Sequence, residues 1–120
     1  MTDLDAEDTK LVVLAKGALG RTGGNSGAAI RDTDGRTYAA GDVALQSLRL
    51  TALQAAVAAA ISSGAEGFEA AVVVSGKLSD AGVFAVREVS PEARIVFTDR
   101  SGAVFEIVDD AAGAEVQGGR

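Results

Sequence analysis

Few residue types in this chain could carry out chemistry, because the sequence contains neither cysteine nor histidine. Their absence excludes disulfides, thiolate nucleophiles, histidine general bases and the usual nitrogen or sulfur ligands of zinc. Any catalysis would have to use carboxylates, hydroxyls, lysine or the single tyrosine.

Two glycine-containing stretches invite comparison with phosphate-binding loops. The glycines of residues 17–24 end a predicted helix, whereas a dinucleotide fingerprint follows a strand and opens a helix. Residues 75–77 read Ser-Gly-Lys after a predicted strand, but Val72 stands where a Walker sequence has its first glycine. We interpret both stretches as loops. Lys77 is expected to be a solvated lysine, with a desolvated nucleophilic lysine as the alternative.

Two acidic pairs, Asp32 with Asp34 and Asp109 with Asp110, could hold a hard cation through oxygen ligands. In turns and tails such pairs more often form turns or add solubilising charge. We therefore predict no metal site from them.

The length, hydrophobic content and net charge of the chain limit the number of domains, the partners and the location that we expect. The 120 residues, 48% of them hydrophobic, predict a single domain over residues 1–108 and a flexible acidic, glycine-rich tail over residues 109–120. The net charge of −6 argues against a nucleic-acid partner. No apolar run reaches membrane length, and Asp3 and Asp5 stand where a signal peptide would be basic. We expect a cytoplasmic protein without a membrane partner.

The predicted elements are organised around residues 50–63. Leu50, Leu53, Val57 and Ile61 recur there at helical spacing among alanines, which predicts a helix buried on both sides. The other predicted elements are a helix capped near Asp5 and reaching Leu19, strands over residues 26–31 and 36–40, a strand over 70–75, a helix over 81–89 capped by Asp80, and strands over 94–98 and 103–108. The order α-β-β-α-β-α-β-β predicts an α/β domain with helices on both faces of a five-stranded sheet.

This order and three segments resemble the small homo-oligomeric cytidine deaminases. The segments are S-G-A-A-I-R-D-T-D-G-R-T-Y-A-A-G-D-V at residues 26–43, L-T-A-L-Q-A-A-V at 50–57 and S-D-A-G-V-F-A-V-R-E-V-S-P-E-A-R-I-V at 79–96. The resemblance covers residues 11–108. It implies a three-layer α/β/α cytidine deaminase-like fold with a mixed sheet, and a homo-oligomer, either a dimer or a tetramer.

The chemistry of that family depends on zinc. Its central helix opens with Cys-Ala-Glu or His-Ala-Glu and the next helix with Pro-Cys-x-x-Cys, so that three ligands hold a zinc ion and the glutamate shuttles protons. On this sequence the ligand positions fall on Thr51, Ala81 and Phe84, the glutamate on Leu53 and the proline on Asp80. The resemblance therefore implies a degenerate member with no catalytic residue, no zinc and no other cofactor.

One position of the family's ribose-binding Asn-x-Glu pair falls on Asp42 and the other on Ala44. The candidates for lining a ligand pocket are thus Asp42, Thr51, Leu53 and Phe84. We expect Leu53 and Phe84 to fill the space where metal and base would sit, since both are large and apolar.

Three functions follow as hypotheses. The first is a catalytically inactive structural or interaction module, and the second is binding of a nucleoside or other small ligand at the former pocket. The third, a diverged non-zinc hydrolase, would have to use Asp42, Thr51, Ser75 or Lys77, among which no triad-like pair is recognisable. A filled pocket would favour the first hypothesis and an open cavity the second.

Overall fold

Helices and strands alternate along the chain in the computed structural model, which describes residues 4–109. Their order is α1 (Ala6–Thr22), β1 (Gly27–Asp32), β2 (Thr37–Gly41), β3 (Val43–Ala44), β4 (Arg49–Leu50), α2 (Ala52–Ser62), β5 (Phe68–Val74), α3 (Gly82–Val89), β6 (Arg94–Thr98) and β7 (Val104–Val108). The predicted three helices and five longer strands are confirmed. The tail predicted over residues 109–120 lies outside the described residues except for Asp109.

The five longer strands form one mixed sheet in the order β2-β1-β5-β6-β7. Only β5 and β6 run parallel, because α3 provides the crossover that a parallel pair requires, and the other neighbours are antiparallel. The predicted five-stranded sheet is confirmed. A separate hairpin of the two-residue strands β3 and β4 was not predicted.

Helices cover both faces of the sheet, which gives the predicted three layers. Along β5, Val72 and Val74 pack in a core with α1, whereas Ala71 and Val73 pack in a second core with α2 and α3. This alternation follows from the two-residue period of a strand. It also explains why β5 is a nearly continuous apolar run, as expected for a strand buried on both faces.

The first helix begins and ends with standard capping groups. The Asp5 side chain accepts a hydrogen bond from the Asp8 N–H at 2.8 Å, which confirms the predicted cap. The helix continues past Leu19 to Thr22 and ends at Gly23, whose φ of 64° lies in the left-handed region.

Within residues 4–109, no helix is both long and apolar enough to cross a membrane.

The central helix α2 is buried on one side rather than on both, so the prediction was wrong in this respect. Ile61 is 44% exposed and Ala58 is also exposed. The buried residues of α2 are Ala52, Leu53, Ala56, Val57 and Ala60. Alanine permits burial but does not require it. The sheet covers one side of this helix, and among residues 4–109 no further layer packs on its outer side.

The Asp32 carboxylate organises the turn between β1 and β2. It accepts hydrogen bonds at 2.9 Å from the N–H groups of Asp34 and Arg36 and from the Tyr38 hydroxyl. Burial raises the pKa of Asp32, but these three hydrogen bonds outweigh that effect and hold the pKa below its ordinary value. Asp32 thus acts as a turn former.

Asp109, from the second acidic pair, accepts a hydrogen bond from Arg94.

We expect Leu53→Glu to destabilise the protein strongly. Leu53 has no exposed surface, so the new carboxylate would be an unpaired buried charge or would have to be protonated, at a cost of about 4 kcal/mol or more. Ile61→Glu on the exposed side of the same helix is the matched control and should change stability by about 0.5 kcal/mol or less. Urea unfolding at neutral pH measures both, and equal midpoints for Leu53→Glu and the wild type would contradict the assignment of Leu53 to the core.

Candidate functional site

An open cleft of about 440 Å³ lies where the amino ends of α2 and α3 meet the turn that follows β5. The cleft is lined by Asn25, Ser26, Asp42, Arg49, Leu50, Thr51, Gln54, Ser75, Gly76, Lys77, Ser79, Asp80 and Ala81. These residues come from four separate parts of the chain, and the fold alone brings them together.

A hydrogen bond joins the two helix ends at the floor of the cleft. The Thr51 hydroxyl donates to Asp80 Oδ1 at 2.7 Å, and the same oxygen accepts the Gly82 N–H at 2.7 Å. Thr51 and Gln54 also form a capping box, in which each side chain accepts the other residue's backbone N–H. The Asp80 side chain thus binds the first turn of α3 as predicted, although the N-cap position itself is Ala81.

The helices approach each other closely behind this hydrogen bond. A Cβ added to Gly82 would lie 2.8 Å from Leu53 Cβ and Cγ and 2.9 Å from the Gln54 backbone nitrogen. Only glycine therefore fits at the start of α3 without a shift of α2. Leu53 lies in the core and does not line the cleft.

Asp42 forms part of the opposite wall. Its Oδ1 accepts hydrogen bonds from the N–H groups of Asn25 at 3.0 Å and Ser26 at 3.3 Å. A side chain on Gly24 would collide with this carboxylate. The Asp42 carboxylate consequently holds the α1–β1 turn against the end of β2.

The third wall is the turn of residues 75–79. Ser75 adopts a φ of 65°, which is uncommon for a residue other than glycine, and its N–H donates to the Thr98 carbonyl at 2.9 Å. Lys77 is exposed and forms no ion pair or side-chain hydrogen bond with any residue between 4 and 109, as expected for a solvated lysine. The turn therefore presents polar groups to the cleft.

The structure separates the four predicted pocket residues into two groups. Asp42 and Thr51 line the cleft, whereas Leu53 and Phe84 do not. The expectation that Phe84 fills the space of metal and base is wrong, because its side chain is 78% exposed. Gly82 and Val86, four residues apart, form the buried side of α3, and Phe84 lies between them in sequence and therefore on the outer side.

Several lining residues were not predicted from the sequence. The spacing of Thr51 and Gln54 matches a capping box and could have been recognised, since both types occur at the required separation. Ser26, Arg49 and Ser79 carry no local signal, because each enters the cleft through long-range packing.

The residues at the family's ligand positions do not fit a zinc ion. The Thr51 hydroxyl is held between Asp80 and Gln54, Ala81 has no donor atom, and Phe84 is apolar and directed outward. Within the described part of the chain, no three acidic side chains are grouped so as to hold a metal. The site therefore lacks the nitrogen and sulfur donors by which proteins bind zinc.

Comparison with known structures finds cytidine deaminases among the similar proteins. The cytidine deaminase from Burkholderia pseudomallei superposes with a TM-score of 0.73 and 22% identity, over 91% of this chain and 93% of that chain. The cytidine deaminases from Mycobacterium leprae and Mycobacterium tuberculosis give TM-scores of 0.65 and 0.64. Their identities are 20% and 22%, over 78% of this chain in both cases and over 89% and 85% of those chains. At such identities the likeness shows a shared fold and leaves the activity open.

Two sequence comparisons gave different results. The comparison with curated proteins gave no match. The family model described as cytidine deaminase-like matches residues 4–102, which include all three helices, the sheet up to the end of β6 and the whole cleft. The chain therefore belongs to the cytidine deaminase-like family.

Proposed function

We propose that this chain is a family member without deaminase activity that binds a small polar molecule, such as a nucleoside, in the cleft. This proposal rests on the observation that the cleft is open and lined by several polar side chains, although the family's ligand positions in it hold no metal-binding groups. Its volume of about 440 Å³ lies within the range of about 300 to 1,000 Å³ typical of small-molecule sites. An open cavity favours ligand binding over a purely structural role.

Polar groups on two walls support this proposal. Among residues 4–109, hydrogen bonds reach only one oxygen of Asp42, so the other can accept a hydrogen bond from a ligand hydroxyl or amine. The hydroxyls of Ser75 and Ser79 form no hydrogen bond with other residues in the region 4–109. A few such groups around a cavity are what fixes the orientation of a small ligand.

The hydrogen bonds in the cleft argue against a hydrolase of another type. The Thr51 hydroxyl donates to Asp80 and accepts from the Gln54 N–H, which fits a capping role better than that of a nucleophile. Ser75 and Lys77 form no hydrogen bond with each other, and a nucleophile requires a base within reach. Binding without chemistry agrees better with this arrangement.

A second function, self-association, is favoured by exposed large apolar side chains. Phe84 is 78% exposed, and Leu78 and Leu48 are about half exposed and adjoin in sequence residues that line the cleft. Association of copies of the chain would remove such apolar surface from water. We propose that copies of this chain associate through these side chains as a dimer or tetramer.

The purified protein should contain no stoichiometric zinc and should not deaminate cytidine, because the chain lacks every donor that such a site uses. Elemental analysis of the metal content and an ultraviolet absorbance assay with cytidine measure the two properties. About one zinc per chain, or turnover above a blank without protein, would contradict the first half of the proposal.

Cytidine should stabilise the protein against thermal unfolding. A ligand at ten times its dissociation constant adds about 1.4 kcal/mol to the stability of the native state. Ser79→Tyr, which places a ring in the cleft, should abolish the stabilisation, whereas Ser62→Tyr on the exposed end of α2 should preserve it. If millimolar cytidine leaves the melting temperature of the wild type unchanged, nucleoside binding is excluded.

Light scattering coupled to size exclusion should give two or four times the chain mass of 12.0 kDa. Phe84→Ser should shift the protein toward the monomer, because it removes the most exposed large apolar side chain of the described residues. Phe105→Ser, which alters a half-exposed phenylalanine on β7, is the matched control and should leave the mass unchanged. A wild-type mass near 12.0 kDa at micromolar concentration would refute self-association.

A further inference from the structure

The cleft contains two basic side chains that no acidic group among the described residues 4–109 contacts directly. Arg49 reaches it from β4, and Lys77 reaches it from the turn after β5. Neither forms a salt bridge or a side-chain hydrogen bond with any residue in the described range 4–109. Two unpaired cations in one small cleft stand out in a chain with 17 acidic and 11 basic residues.

The acids of the cleft are held by other groups. Asp80 is 8% exposed and receives the Thr51 hydroxyl and the Gly82 N–H, whereas Asp42 receives two backbone N–H groups. Each carboxylate thus has a structural role that fixes its position. The positive charge of Arg49 and Lys77 remains available to a bound molecule.

Neutral donors lie beside these cations. The backbone N–H groups of Gly76 and Lys77 form no hydrogen bond within residues 4–109, and the turn that carries them contains the left-handed residue Ser75. The amino ends of α2 and α3 also border the cleft and add positive potential. The side chains of Arg49 and Lys77 and these backbone donors line the same cleft, and an anionic oxygen group can accept hydrogen bonds from them.

We propose that the ligand carries a phosphate group that contacts Arg49 and Lys77, and that it is a nucleoside monophosphate. This inference rests on the proposed function and goes beyond it by naming the charged part of the ligand. The nucleoside part occupies the side of the cleft near Asp42, whose free oxygen accepts a hydroxyl or amine. The phosphate occupies the side formed by the turn of residues 75–79.

Isothermal titration with cytidine 5′-monophosphate, cytidine and inorganic phosphate tests the proposal on the full chain. The monophosphate should bind roughly a hundredfold more tightly than cytidine, as expected for two contacts to a charged group of about tenfold each, and the difference should shrink at high salt. Arg49→Gln and Lys77→Gln should each weaken binding of the monophosphate by about tenfold and leave cytidine unchanged. Arg36→Gln, in the β1–β2 turn away from the cleft, removes the same charge and should change neither affinity.

The possible results separate the two proposals. Equal affinities for cytidine and its monophosphate in the wild type and both variants would overturn the phosphate site and leave nucleoside binding intact. Binding of inorganic phosphate as tightly as the monophosphate would overturn the assignment to a nucleotide. If neither cytidine nor its monophosphate binds, the proposed function fails together with this inference.

Discussion

The hydrogen bond between the Thr51 hydroxyl and the Asp80 carboxylate fixes the amino ends of α2 and α3, and both helices form walls of the cleft. A nearly buried carboxylate is tolerated only if its oxygens are hydrogen-bonded, and the Gly82 N–H supplies the second donor. Gly82 also lets α3 approach Leu53 closely. Loss of any of these contacts would separate the helix ends and change the shape of the cleft.

These contacts occupy the place that the family resemblance gives to a metal. A structural metal contributes binding free energy to folding, and its ligands must be deprotonated before they bind it. In this chain a hydroxyl, a carboxylate and a close apolar contact between Gly82 and Leu53 connect the same helix ends. These contacts between the chain's own residues hold α2 against α3. Leu53 at the glutamate position belongs to this support, since it packs in the core beneath the cleft.

The order of the longer helices and strands could be predicted from the sequence, because each element shows a clear hydrophobic periodicity or is bounded by a clear turn. The β3–β4 hairpin was not predicted, since two-residue strands show no period. The family resemblance assigned Phe84 to a ligand position but could not give the direction of its side chain, which depends on which side of α3 packs against α2. Arg49 and Ser79 enter the cleft only through tertiary packing, so no local pattern identifies them. The sequence thus predicts the positions of the helix ends better than the composition of the cleft between them.

The size of the side chains explains why the cleft is open although the family's ligand positions hold no metal-binding groups. Ser26, Ser75, Gly76, Ser79 and Ala81 all line it, and none is large enough to fill it. A side chain at position 76 would collide with Val73, so a larger residue cannot replace Gly76 and fill the cleft unless the turn shifts. Water can satisfy the polar groups that line such a cleft. A ligand that displaces this water must reproduce its hydrogen bonds, so a molecule that binds here needs polar groups opposite these side chains.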